Sequence, residues 1–303
     1  MIDLLLGILG QGLIYAPMVL GVYITYKILD FPDLSVDGTF PLGAAVTAVC
    51  LTAGVPPELA IPISMAVGAA AGFITGALHV FLRITNLLSG ILTMTGLYSI
   101  NLMVMGKSNI PLLKESTIFN PNWIKDLNLT VTETNLFIVA VSLIVVIVIK
   151  LLLDLYMKTF AGKSLLAVGV NEQLVKTLSI NTGRLKITGL MIANGLTALS
   201  GSLMAQYQRF ADIGMGPGTV VIGLASVIIG RAIFGKTKFI QGSTSVIFGS
   251  IIYKLGIGIA MQLGLPAINM RLMTAVFFVL VVALQHEGLK KGLSSLIRKQ
   301  EGR

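Results

Sequence analysis

The chain of 303 residues is short of charge, cysteine and histidine. Charged residues make up 12% of it, against about 25% in soluble domains, while hydrophobic residues make up 55%. The single cysteine, Cys50, excludes an intrachain disulfide framework, and His79 and His286 are too far apart in sequence to suggest a metal-ligand cluster. We therefore expect a membrane protein without a metal site.

The sequence also lacks the motifs of enzymes. It contains no P-loop, G-x-S-x-G or H-E-x-x-H motif, and no clustered set of histidine, aspartate and serine. We therefore predict that the chain is not an enzyme, has no catalytic residues and does not bind ATP itself. Asp3 stands where a signal peptide carries basic residues, so the first apolar run is interpreted as a retained span.

Long apolar runs are what the sequence has in abundance. A transmembrane helix needs about 20 mostly apolar residues. Nine runs meet or approach this length, at residues 4–29, 40–54, 59–82, 87–105, 136–155, 187–205, 220–234, 243–261 and 270–284. They predict an all-α polytopic membrane protein with eight to ten transmembrane helices in one domain over residues 1–303.

The lysines and arginines indicate the orientation of these spans. If the basic tail, residues 286–303, is cytoplasmic, sixteen cations fall on the cytoplasmic side and four fall outside. This bias follows the positive-inside rule. It places the N-terminus outside, makes residues 107–133 an external loop, and puts residues 162–183 in the cytoplasm.

Residues 162–183 are too polar to span a bilayer and too regular for a random loop. They carry charged residues together with apolar residues at helical spacing, namely Leu165, Val168, Leu174 and Leu178. Such a segment lies at the membrane surface and contacts another molecule there. We interpret it as the place where the protein receives mechanical work from a soluble cytoplasmic partner.

The runs at 40–54 and 220–234 are too short to cross about 30 Å of hydrocarbon comfortably. Both carry the same G-T-x-x-x-G-x-A spacing, which begins at Gly38 and again at Gly218. The second copy lies five runs further along the chain than the first, so the two must approach the membrane from opposite faces. This predicts an inverted repeat whose short, interrupted helices line a transport pathway. Chance remains the alternative, because glycine and alanine are common here.

The approach to the first short run is the most polar stretch near any span. Charges at membrane depth are costly and mark a pathway or an interior pair, which makes Asp33 a candidate. Alternatively, Asp37 or Ser35 caps the helix that follows. Lys254 and Arg271 are possible cationic partners, although their side chains can equally reach the outer surface.

Polar residues within the spans are few. Any single threonine or serine is best explained by helix packing, but as a set they are plausible cavity lining. The complete set of candidate pathway residues is Asp33, Ser35, Asp37, Thr39, Thr93, Thr95, Asn101, Asn194, Gly218 and Thr219.

Three motifs carry a family resemblance. The pattern G-x-x-x-x-A-x-G-x-N begins at Gly162, with Leu166 and Val170 where arginine and an acidic residue are usual. Residues 33–38, DLSVDG, resemble a DLSVG motif with Asp37 inserted, and a glycine-rich run covers 216–230. Over roughly residues 15–285 the chain thus resembles permease subunits of bacterial ABC importers of the branched-chain amino acid and ribose type. Within that superfamily it is similar to a branch whose binding proteins resemble those for aromatic amino acids such as tryptophan.

The resemblance implies a homodimer or pseudo-dimer in the bacterial cytoplasmic membrane. Two cytoplasmic ATPases, which use the ATP, would engage a short helix around residues 164–176, and an external binding protein or lipoprotein would deliver an amino acid or similar small solute. Nucleic acid is not an expected partner. The implied ATPase-coupling residues are Gly162, Ser164, Leu165, Ala167, Val168, Gly169, Asn171, Glu172 and Leu174.

Two other interpretations remain open. An ion-coupled secondary transporter would use Asp33 and Asp37 for coupling and need no ATPase, but it leaves residues 162–183 unexplained. A membrane enzyme or scaffold would not transport at all.

Overall fold

The computed structural model describes residues 2–121, 130–235, 241–262, 272–276 and 278–279. The described chain is almost entirely helical. Its α-helices are α1 (Ile2–Val22), α2 (Val36–Thr52), α3 (Pro57–Leu82), α4 (Asn86–Met105), α5 (Val131–Lys158), α6 (Phe160–Val170), α7 (Glu172–Thr177), α8 (Thr182–Gln208), α9 (Thr219–Phe234) and α10 (Gly242–Gln262). The smaller elements are a π-helix (Tyr23–Ile28), a 3-10 helix (Ile213–Met215), β1 (Asn109–Pro111) and β2 (Phe210–Asp212).

Seven of the described helical segments are long and apolar enough to cross a membrane. They are α1 with its π-helical extension, α3, α4, α5, α8, α9 with the preceding 3-10 helix, and α10. The apolar helix α2 has 17 residues and is shorter. The all-α polytopic prediction is confirmed. Most of the predicted run at 270–284 and all of the tail at 286–303 lie outside the described residues.

Helix α8 is the centre of the bundle, buried along most of its length between α1, α2 and α3. Glycines bring the neighbouring backbones close to it. A Cβ added at Gly76 of α3 would lie 3.0 Å from the Cα of Ile187, and one at Gly43 of α2 would overlap the backbone of Ala198. Such close approach favours helix association where apolar burial alone cannot drive it, because lipid is as apolar as the helix surface.

The helical path of the first span breaks between Ile28 and Val36. In this non-helical segment Phe31 and Ser35 are at most 1% exposed and Asp33 is also buried, whereas Asp30 and Pro32 are exposed. Its amides find local acceptors: Phe31 N donates to the Thr25 carbonyl at 2.8 Å, and Ser35 N donates to the Asp33 carboxylate at 2.8 Å. Irregular backbone at membrane depth is tolerated when protein surrounds it in this way.

The two short helices, α2 and α9, have adjacent N-termini and run in opposite directions from there. Their N-termini meet at Asp37. Helix α2 then runs alongside the second half of α8, where Thr47 bonds Ser202. Helix α9 runs the other way and ends beside Tyr26 and Lys27. This divergence agrees with the inverted pair that the repeated spacing predicts.

A two-stranded ribbon closes one end of the bundle. β1 pairs antiparallel with β2, with Ile110 opposite Ala211. At the same end, Thr132 of α5 donates to the Asp3 carboxylate at 2.6 Å. The described part of the predicted loop at 107–133 therefore lies at the same end of the bundle as the N-terminus, and α5 already begins at Val131. Residues 122–129 lie outside the described part of that loop.

Candidate functional site

A buried hydrogen-bond network holds the non-helical residues 29–35, here called the broken segment, against α8. Asn194 Nδ2 donates to Asp33 Oδ2 at 2.8 Å, while Asn194 Oδ1 accepts from Ser35 Oγ at 3.1 Å and Thr39 Oγ1 at 2.7 Å. All four side chains are at most 5% exposed. They pair with one another and line neither of the two cavities described below. The network therefore acts as a clamp between α2 and α8.

Asp37 has a different partner, the N-terminus of α9. Its carboxylate accepts from Gly218 N at 3.0 Å, Thr219 Oγ1 at 2.8 Å and Val220 N at 2.8 Å. A carboxylate stabilises the positive end of a helix dipole and satisfies amides that lack a helical partner. The expectation that Asp37 caps the helix that follows it is wrong, because it caps α9, 181 residues further on. Gly218 allows this arrangement, since its φ of +96° suits glycine.

Two cavities flank the Asp37–α9 contact. The first, the aromatic cavity, has a volume of about 510 Å³, and its walls include Tyr15, Phe40, Met204, Gln208, Gly218 and Thr219. The second, the Asp37 cavity, has a volume of about 430 Å³, and its walls include Asp37, Thr95, Tyr98, Ser99, Asn101 and Pro217. Both are large enough for a solute the size of an amino acid. Pro217 lines both cavities and so lies between them.

Five of the ten candidate pathway residues line these cavities. They are Asp37, Thr95 and Asn101 in the Asp37 cavity, and Gly218 and Thr219 in the aromatic cavity. Thr93 instead accepts a hydrogen bond from Thr75 at 3.0 Å and joins α4 to α3. The candidate set did not include Tyr15 or Phe40, because an aromatic residue within an apolar run looks the same whether it packs in a core or lines a cavity.

Lys254 contacts Tyr15 in the wall of the aromatic cavity. Its ammonium sits 3.9 Å from the centroid of the Tyr15 ring, and Tyr15 stacks on Phe40 with the centroids 5.6 Å apart. A cation over an aromatic face is stabilised by the ring quadrupole. Within the described ranges Lys254 forms no ion pair with Asp33 or Asp37. The other suggested partner, Arg271, lies outside the described residues.

The predicted coupling segment folds into two helices, not one. Asn171 separates α6 from α7 with an extended backbone (φ −156°), and its Oδ1 accepts from Leu174 N at 3.0 Å. A Cβ added at Gly169 would overlap the Ile28 carbonyl, and one at Gly162 would overlap the backbone of Tyr156. Gly169 thus lets α6 pack directly on the end of the first span, next to the break, and Gly162 lets α6 pack closely on the end of α5.

The two faces of α6 and α7 differ. Leu165 is 0% exposed and packs inward with Val168 and Val175, so these side chains anchor the helices and present nothing to a partner. The outer face carries an exposed apolar patch, with Val170 at 88% exposure. The members of this apolar patch are Leu166, Val170, Leu174 and Leu178. Leu166 and Val170 are four residues apart and share one face of α6, while Leu174 lies on α7 and Leu178 directly follows it.

An ion-pair network attaches α7 to α8. Glu172 lies 2.8 Å from Lys186 Nζ and 3.0 Å from Lys176 Nζ, and it accepts from Thr182 Oγ1 at 3.2 Å. The hydrogen bond from Lys186, with further help from Lys176 and Thr182, lowers the pKa of Glu172 to about 2. The carboxylate is therefore ionised at neutral pH and ties α7 to the bundle.

Lys186 also connects to the broken segment, through contacts with His79. Lys186 Nζ lies 3.3 Å from His79 Nε2, and His79 Nδ1 lies 2.8 Å from the Ile84 carbonyl. If Nδ1 carries the proton and donates to that carbonyl, Nε2 accepts from Lys186. The His79 ring meets Phe31 edge-on, with the centroids 5.2 Å apart. Contacts thus run from α7 to the residue two positions before Asp33.

Comparison with known proteins identifies the group to which this architecture belongs. Residues 4–284 match the family described as branched-chain amino acid transport system / permease component. The chain belongs to this family. It is therefore a multi-pass membrane permease and a transport component, not an enzyme, and the resemblance seen in the motifs is confirmed.

Relatives within the family are similar over very different lengths. The permease is 46% identical to the tyrosine transport system permease protein of Clostridioides difficile, over 97% of this chain and 96% of the relative. It is 35% identical to an uncharacterized protein of Rickettsia prowazekii, over 95% of this chain and 100% of the relative. It is 29% identical to the autoinducer 2 import system permease protein LsrC of Salmonella typhimurium, over 71% of this chain and 58% of the relative. No solved structure matches the chain.

Proposed function

We propose that this permease forms the translocation pathway of an ATP-driven importer for an aromatic amino acid and couples to cytoplasmic ATPases through α6 and α7. The observation that carries this proposal is the exposed apolar patch next to the break in the first span. Four large exposed apolar side chains within thirteen consecutive residues are typical of a docking site. A partner that moves the patch would act directly on the broken segment, because α6 packs on Ile28.

The substrate class is inferred from two facts. The tyrosine transport permease is similar over nearly its whole length. The aromatic cavity offers Tyr15, Phe40 and Met204, and such side chains pack favourably against a ring. A full importer would contain two copies of the permease, two ATPases that hold the ATP, and an external binding protein. The N-terminus and the β-ribbon would face outward, and α6 and α7 would face the cytoplasm.

The experiment is co-purification of the tagged permease from membranes together with a co-expressed candidate ATPase of an amino acid importer, followed by tyrosine uptake into proteoliposomes. Leu174→Asp puts a charge on the patch without disturbing the buried face. We expect it to lower ATPase recovery and uptake at least tenfold, because a desolvated charge in an apolar interface is strongly unfavourable. Leu113→Asp is the matched control, since Leu113 is also highly exposed but follows β1 at the other end of the bundle.

The outcomes separate the proposal from its alternative. Loss of uptake with Leu174→Asp and retention with Leu113→Asp supports ATPase coupling. ATP-independent uptake that follows a sodium or proton gradient and is lost with Asp33→Asn or Asp37→Asn would replace this proposal with an ion-coupled carrier.

A further inference from the structure

The wall of the Asp37 cavity contains a hydrogen-bond acceptor that lacks a donor. Asn101 is 1% exposed, and its Nδ2 donates to the Gly38 carbonyl at 3.1 Å. Its Oδ1 has no hydrogen-bond partner within the described part of the chain. Rotating the amide would place its oxygen against the Gly38 carbonyl, so the Nδ2 contact determines which atom is left over. Buried carboxamide oxygens are normally paired, and this one adjoins a cavity.

Asp37, on the same wall, keeps part of its acceptor capacity. A carboxylate offers about four acceptor sites, and three donors from α9 occupy three of them. No lysine, arginine or histidine lines the Asp37 cavity, and among the described residues none forms an ion pair with Asp37. The remaining polar lining consists of the hydroxyls of Thr95, Tyr98 and Ser99. The cavity therefore has a surplus of acceptors and one negative charge.

We infer that the Asp37 cavity binds the protonated primary amine of the transported solute, with the Asp37 carboxylate and Asn101 Oδ1 as its acceptors. This inference rests on the proposed function and adds the end of the solute that is recognised. An alkylammonium group has three donors and no acceptor, which complements this wall. A carboxylate placed there would meet the charge of Asp37 and is disfavoured. The amine of an amino acid therefore points toward Asp37 and Asn101, and the carboxylate on the same carbon points away from that wall.

The test is a binding measurement on the full permease in lipid nanodiscs without the external binding protein, which would impose its own selectivity. Radiolabelled tyrosine is displaced by tyramine, which keeps the amine, or by 3-(4-hydroxyphenyl)propionate, which lacks it. We expect the amine-free compound to bind at least about tenfold more weakly than tyramine, because hydrogen bonds to charged groups contribute roughly this factor.

Three variants sharpen the result. Asp37→Asn and Asn101→Leu should each weaken tyramine binding about tenfold, and neither should weaken 3-(4-hydroxyphenyl)propionate by more than about twofold. Thr93→Val, on the same helix as Asn101 but outside the cavity, should change neither. A variant that merely distorts the fold would weaken both compounds together, so the ratio of the two affinities reports amine recognition.

Equal displacement by the two compounds, a failure of wild-type permease to bind either tyrosine or tyramine, or equal loss of both in Asp37→Asn would overturn the inference. So would tyrosine binding that requires sodium and is insensitive to tyramine, because the cavity would then hold a metal cation. If the assembled importer carries out ATP-driven tyrosine uptake while these results are negative, only the amine site is wrong. Absence of ATP-driven uptake overturns the proposed function itself.

Discussion

Asp33 and Asp37 are one helical turn apart in sequence, yet the fold uses them differently. Asp33 is sealed in a network with Asn194 of α8 and borders neither cavity. Asp37 instead bonds the N-terminus of α9, and it borders a cavity. The comparison teaches that a carboxylate at membrane depth can be a structural clamp or a pathway residue, depending on which helix supplies its donors.

The largest expected effect comes from breaking the Asp33 clamp. Asp33→Ala leaves Ser35 N without its buried acceptor and leaves Asn194 Nδ2 with only the Leu190 carbonyl at 3.2 Å. We expect it to destabilise the folded permease by about 3 kcal/mol. Thermal unfolding in detergent measures this loss. The pair Asp33→Asn with Asn194→Asp exchanges donor and acceptor and should recover much of it. If Asp33→Ala unfolds no earlier than wild type, Asp33 is not a clamp.

Asp37→Ala should reduce tyrosine uptake strongly while lowering stability less than Asp33→Ala does. Loss of a helix cap costs about 1 kcal/mol, so the unfolding temperature should fall less than for Asp33→Ala. Tyrosine uptake should fall at least about tenfold, because both the α9 contact and the charge of the cavity are lost. Uptake by proteoliposomes, normalised to folded protein, measures this. Equal destabilisation by the two substitutions would remove the distinction between the two acids.

A third carboxylate, Glu172, forms ion pairs at the end of the bundle that carries α6 and α7. The pKa of Glu172 is lowered to about 2, so its contribution to stability is present above its unfolded pKa of about 4.3 and is lost as pH falls toward 2. Because Glu172 is partly exposed, we expect Glu172→Gln to cost less than about 1 kcal/mol at pH 7. Proteolysis of the α6–α7 segment as a function of pH measures this. Wild type should stay protected from pH 7 to pH 5, and a loss of protection within that range would contradict the assignment.

The smallest expected effect is at Thr93, which joins α3 and α4 through Thr75. Thr93→Val should destabilise the permease by about 0.6 kcal/mol, the average for a hydrogen bond between membrane helices, and should leave uptake unchanged. A double-mutant cycle with Thr75→Val measures the coupling. A clear loss of uptake at unchanged stability would instead place Thr93 in the pathway.

Two features of the site were predictable from the sequence because they depend on local composition. The motif from Gly162 and the shortness of the runs at 40–54 and 220–234 are visible in the residue pattern, and they mark the segments that fold as α6, α7, α2 and α9. The faces of α6 and α7 were not predictable. Leu165 and Val170 are both apolar, and only packing against Ile28 and the rest of the bundle shows that one is buried and the other exposed.

The sequence by itself determined the membrane class, most of the spans and the places where polar residues interrupt them, because lipid demands long apolar segments and penalises charge. Only the tertiary structure decided the partners of those polar residues. Helix surfaces that face lipid and surfaces that face protein are equally apolar, so residue patterns do not indicate which side meets which neighbour. The bond from Gly218 N to Asp37 spans 181 residues and exists only because the fold brings the two short helices together.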